Sequence, residues 1–77
     1  MKIRRVDAFA AIAFAMEQGR IPVANQMLKI VSKSITADKK KKTFSSFIEL
    51  SNKELNIFRS VMPSIEIYGI NIEQEYS

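Results

Sequence analysis

From Val6 to Met16 the apolar side chains Val6, Phe9, Ile12, Ala13 and Met16 fall at the three- and four-residue steps of an α-helix. Ala10 and Phe14 carry apolar character further round the cylinder. A helix apolar on most of its sides sits at the centre of a fold or is covered by a second subunit. Asp7 before the run suits an N-cap, and Gly19 after it suits the left-handed position that closes a helix. Arg20-Ile21 makes a short connection. Pro22 then fits the first turn of a second helix, where its missing N–H removes no hydrogen bond. Val23, Met27, Leu28, Val31 and Ile35 form that helix's apolar face, and Asn25, Gln26, Lys29, Ser32 and Lys33 its polar one.

Beyond Ser34 the pattern changes. Ala37 to Lys42 is polar and predicts a loop. Phe44, Ser46, Ile48 and Leu50 alternate with Thr43, Ser45, Phe47 and Glu49, which predicts extended chain. Two continuations are open. The second helix reaches about Asp38, or Lys33–Thr36 pairs with Phe44–Ile48 in a hairpin with the lysines at its tip. Ser51-Asn52-Lys53-Glu54 spells a capping box and opens a third helix, with Leu55, Phe58, Val61 and Met62 on one side and Pro63 as its stop. Ser64 to Glu73 is rich in β-formers. Ile65 and Ile67 alternate up to Gly69, where a bulge or turn shifts the phase to Ile70 and Ile72. Glu73 to Ser77 reads as a frayed acidic tail. The expectation is one α+β domain over residues 1–77: two N-terminal helices, a small β element, a third helix and a C-terminal strand.

Charge adds a direction to this outline. Residues 1–42 hold ten basic and three acidic side chains, a net of +7, whereas residues 43–77 hold two basic and five acidic ones, a net of −3. Such asymmetry speaks to partners: one end attracts phosphates or an acidic protein surface. With 77 residues a single core is only marginally sufficient, so self-association into a homodimer is a natural supplement.

Several chemistries are excluded. The chain has no cysteine, hence neither a disulfide nor a thiolate metal site, and no histidine, the usual general base and metal ligand. Its two glycines cannot build a phosphate-cradling loop. Glu73 and Glu75 are neighbours, but in the tail. The reading is therefore non-enzymatic, with no cofactor and no metal. The basic start followed by apolar residues imitates a signal peptide, but Asp7 interrupts it. The apolar stretch is also far short of the ~20 residues that span a bilayer. A cytoplasmic protein without membrane contact is expected.

Nucleic-acid binding through the second helix is the leading functional expectation. Asn25 and Gln26 are side chains able to bond adenine bidentately, and Lys29 and Lys33 lie one turn apart on the same face. Arg4, Arg5, Lys39, Lys40, Lys41 and Lys42 are the candidate phosphate contacts, the lysine run acting as a wing if it caps a hairpin. Ala15-Met16-Glu17-Gln18-Gly19 resembles the A-x-x-x-G turn of helix–turn–helix regulators, and Leu28 falls where that family has an apolar residue. The resemblance covers roughly residues 11–30. It departs at Arg20, where an apolar turn residue is usual, and at Asn25, where a β-branched core residue is usual. What it implies is a second helix presented to the major groove.

The alternative is a small inhibitor or adaptor of the kind phages and plasmids direct at host machinery. It would dock its basic half on an acidic protein surface, with Phe44, Phe47, Ile65, Ile67, Tyr68, Ile70 and Ile72 in a sheet whose edge or face meets the partner.

Overall fold

A computed structural model describes residues 1–42 and 45–69. The order is β1 (Lys2–Arg4), α1 (Arg5–Glu17), α2 (Ile21–Lys40), β2 (Phe47–Glu49) and α3 (Asn52–Val61). Three helices pack with a two-stranded antiparallel sheet, a small α+β domain as expected.

The sheet was not legible at its first strand. β1 pairs with β2 so that Ile3 faces Ile48, and both side chains are fully buried. On its other edge Lys2 bridges Tyr68. The Lys2 N–H donates to the Tyr68 carbonyl at 3.0 Å, and the Tyr68 N–H returns to the Lys2 carbonyl at 2.8 Å. The extended reading of Thr43–Leu50 is realised over Phe47–Glu49, but its partner is the N-terminus. Lys33–Thr36 is helical, so no hairpin is tipped by the lysines. Of the expected C-terminal strand, Ile65 joins the core and Tyr68 forms the bridge. Ile70, Ile72 and the tail from Glu73 lie outside the described residues, as do Thr43 and Phe44.

α1 begins two residues before Asp7. Asp7 therefore sits in the first turn, where its carboxylate takes the Arg4 guanidinium, rather than capping the helix. The helix closes as expected at Gly19, whose φ of +74° is one that L side chains rarely adopt. The Arg20 N–H donates to the Ala15 carbonyl and the Gly19 N–H to the Met16 carbonyl, the paired bonds of a Schellman closure.

The buried side of α1 corrects the expectation most sharply. The side chains turned inward are Ala8, Ala11, Ile12 and Ala15. Val6, Phe9, Phe14 and Met16 are exposed, at 67, 47, 44 and 47%. α1 touches both other helices and both strands, and such close approach from several directions admits methyl groups better than rings.

α2 buries Ala24, Met27 and Val31, with Val23, Ile30 and Ile35 partly covered, while Leu28 is left on the flank. Of the two open continuations the helical one is realised: α2 runs past Asp38, into the segment from Ala37 that reads as a loop, and ends at Lys40. Ala37 and the lysines are good helix formers, and cations in a last turn oppose the negative end of the helix dipole. Asp38 is fastened by Arg5 across 33 residues of sequence, which holds this final stretch to the body of the protein.

α3 follows its signals closely. Ser51 Oγ accepts from the Glu54 N–H at 3.3 Å, and Glu54 Oε1 accepts from the Ser51 N–H at 2.9 Å. Leu55, Phe58 and Val61 are buried, and the helix ends before Pro63. A ten-residue helix is marginal by itself, so both cap and buried face are needed. Ser51→Ala is expected to cost about 1 kcal/mol and to lower Tm by about 4–8 °C, read by thermal melting followed by circular dichroism. An unchanged Tm would show that the box contributes nothing.

Candidate nucleic-acid interface

Asn25, Gln26, Lys29 and Lys33 all stand on the solvent side of α2, opposite the buried stripe of Ala24, Met27 and Val31. Because the helix continues to Lys40, the row is longer than the sequence indicated. Gln26, Lys29, Lys33, Thr36 and Lys40 follow one another at steps of three and four, and all are exposed. Thr36 and Lys40 join this face only because the segment is helical. Their spacing from Lys29 and Lys33 is visible in the sequence, where Thr36 fits either a continuing helix or a hairpin strand and Lys40 falls in the polar segment that reads as a loop. From Gln26 to Lys40 the row extends along about 20 Å of α2.

The remaining lysines gather at the end of this helix. Lys39 and Lys40 occupy its last turn, Lys41 is the C-cap, and Lys42 turns the chain with φ +54°. Among the described residues, none of Lys29, Lys33, Lys39, Lys40, Lys41 and Lys42 takes part in an ion pair. The acidic residue of α2, Asp38, belongs to Arg5 at 2.7 Å. The positive charge on this side is therefore not neutralised from within those residues.

Arg4 and Arg5 are placed differently. Arg5 is only 16% exposed, and its guanidinium joins the start of α1 to the end of α2 through Asp38. Arg4 binds Asp7 at 3.1 Å and approaches Glu66 at 3.9 Å. The hydrogen bond to the Asp7 carboxylate, with its charge, holds the Arg4 guanidinium above its usual pKa. Glu66 also accepts from the Tyr68 hydroxyl at 2.6 Å. That bond, with some burial, pushes the phenol above its usual value. The Tyr68 ring meets Phe47 edge-on, with centroids 5.1 Å apart. Both arginines thus have carboxylate partners in the fold, a role the charge pattern did not reveal.

The helix–turn–helix resemblance reaches the turn and stops there. Ala15 is fully buried and Gly19 takes the left-handed turn conformation. Asn25 is exposed, and Leu28 sits on the flank, whereas the buried positions are Ala24 and Met27, each one residue earlier. One residue is about 100° of helix rotation. α2 therefore presents a different side outward from the one the resemblance implies. Arg20, at the other departure, donates from Nη1 to the Ser60 carbonyl at 3.2 Å and so links the turn to α3.

A cleft of about 350 Å³ opens between the end of α2 and β2, with Lys2, Lys33 and Lys41 on its walls alongside Asp38, Glu49 and Glu54. Its charges are mixed, so it does not select an anion. Among the described residues no three carboxylates converge as a metal ion would require, and no helix is long and apolar enough to cross a membrane. The chain matches no protein-family model, no curated protein and no solved structure.

Proposed function

We propose that this is a small non-enzymatic nucleic-acid-binding protein that lays the outer face of α2 along its ligand. The observation carrying this reading is the run of six exposed lysines on that one helix and its C-cap turn, without ion-pair partners among the described residues. Lys29, Lys33 and Lys40 supply phosphate contacts along the row, and Lys39, Lys41 and Lys42 extend them at the helix end. Asn25 and Gln26 are the side chains fitted to base edges. Arg4 and Arg5 hold the fold and are left out of the contact set.

The test is fluorescence anisotropy of labelled duplex and single-stranded DNA at low and physiological salt. Binding is expected to weaken steeply with salt. Replacing both Lys29 and Lys33 by Ala is expected to lower the log–log salt slope by about two, one for each phosphate contact. No binding at either salt overturns the proposal, and so does binding indifferent to those two lysines. The same unpaired lysines suit an acidic protein surface, the inhibitor or adaptor reading. That reading predicts no nucleic-acid affinity at physiological salt.

A further inference from the structure

The outer face of α1 is the large surface that neither the fold nor the α2 row explains. Val6, Phe9, Ala10, Ala13, Phe14 and Met16 are all exposed on it. The charged side chain within that stretch, Asp7, is occupied by Arg4. These side chains leave roughly 500 Å² of apolar surface in water, the size of the largest patch on an ordinary monomer and often a functional one. On a domain whose total surface is 5508 Å², this is a substantial share.

The relief of the face indicates what covers it. The segment Phe9-Ala10-Ala11-Ile12-Ala13-Phe14 places a ring, then an alanine, at each end. At 100° per residue, Ala10 and Ala13 lie on either side of the centre of the outward face. Phe9 and Phe14 lie on opposite flanks and at opposite ends. Half a turn about an axis through that centre exchanges Phe9 with Phe14 and Ala10 with Ala13. A second copy laid antiparallel on this face sets each ring over an alanine, Phe9 over Ala13 of the partner subunit and Phe14 over Ala10 of the partner subunit, so the face is complementary to itself in an isologous pair. The central alanines let two helices approach closely, and each ring fills the hollow above the other copy's methyl group.

Charge points the same way. An apolar helix that docks on anionic lipid is bordered by free cations, but Arg4 and Arg5 are both ion-paired and Glu17 closes the far end. The lysines that would repel a second copy are spread along the outer face and end of α2. Two such faces bury about 1,000 Å², the lower bound for a specific interface.

We propose that α1 pairs two copies of this chain antiparallel about a two-fold axis that crosses the helices midway between Ala10 and Ala13, each Phe9 over Ala13 and each Phe14 over Ala10 of the partner subunit. The proposal is independent of nucleic-acid binding.

Sedimentation equilibrium of the full chain, from about 5 to 200 µM at physiological salt, decides it. The wild type is expected at twice its 8.8 kDa in the upper part of that range. Phe9→Asp and Phe14→Lys, both at exposed positions, are each expected at the single-chain mass with unchanged far-ultraviolet circular dichroism. The double variant Phe9→Ala/Ala13→Phe, which exchanges ring and hollow, is expected to recover the doubled mass that Phe9→Ala alone loses. Lys29→Glu is expected to stay paired. A wild type at the single-chain mass throughout overturns the proposal, as does a mass beyond the dimer. A double variant at the single-chain mass overturns the antiparallel register.

Discussion

Phe58→Ala is expected to cost the domain about 4 kcal/mol, the largest loss from any single truncation. Phe58 is the bulkiest fully buried side chain and lies in the middle of α3. The core is one cluster that gathers Ile3 and Ile48 from the sheet, Ala11 and Ala15 from α1, Met27 and Val31 from α2, and Phe58 from α3. Removing the ring leaves a cavity that a short helix packed on α1 and α2 cannot close without giving up its other contacts. A domain of this size stands near the lower end of the usual 5–15 kcal/mol, so most of its stability is at stake. Urea denaturation followed by circular dichroism reads the effect as a fall in the midpoint. Phe58→Leu, which keeps most of the volume, is expected to lose less than about 1.5 kcal/mol. A loss below about 1 kcal/mol for Phe58→Ala would mean that α3 is held by something other than its buried face.

α3 was legible in the sequence because every signal for it is local: the reciprocal Ser51–Glu54 bonds, the apolar spacing and Pro63 lie within thirteen residues of one another. Gly19 was legible for the same reason. β1 was not, because a three-residue strand has too few positions to show alternation, and its partner Ile48 is remote in the chain. The end of α2 was half legible: a helix reaching about Asp38 was one of two open continuations and falls two residues short of Lys40, but four lysines in a row look like a loop until Arg5 reaches Asp38 and the helix dipole is counted. The candidate site divides along the same line. The face from Asn25 to Lys33 follows from helix period alone, since its members point away from everything else. Arg4 and Arg5 carry the same charge in the sequence as the lysines; the local pair of Arg4 with Asp7 and the tertiary contacts with Glu66 and Asp38 separate them.

The inversion of α1 has the second-largest consequence, for it makes an alanine harder to enlarge than its size suggests. Ala11→Leu is expected to cost about 3 kcal/mol, the upper part of the range for extra methylenes forced into a packed interior. Ala11 has no exposed surface and sits on the one helix that touches both other helices and both strands, so no direction is open for the added carbons. Ala37→Leu on α2 is the matched control. Ala37 is exposed, leucine and alanine have similar helix preference, and the change is expected to stay within about 0.5 kcal/mol. Hydropathy ranks these two alanines equally, whereas packing separates them by the whole effect. Urea midpoints of the two variants make the comparison at one protein concentration. If Ala11→Leu costs no more than Ala37→Leu, the alanine side of α1 is not closely packed. The reason for Phe9 and Phe14 facing outward would then be gone, because a loosely packed inner face has room for rings.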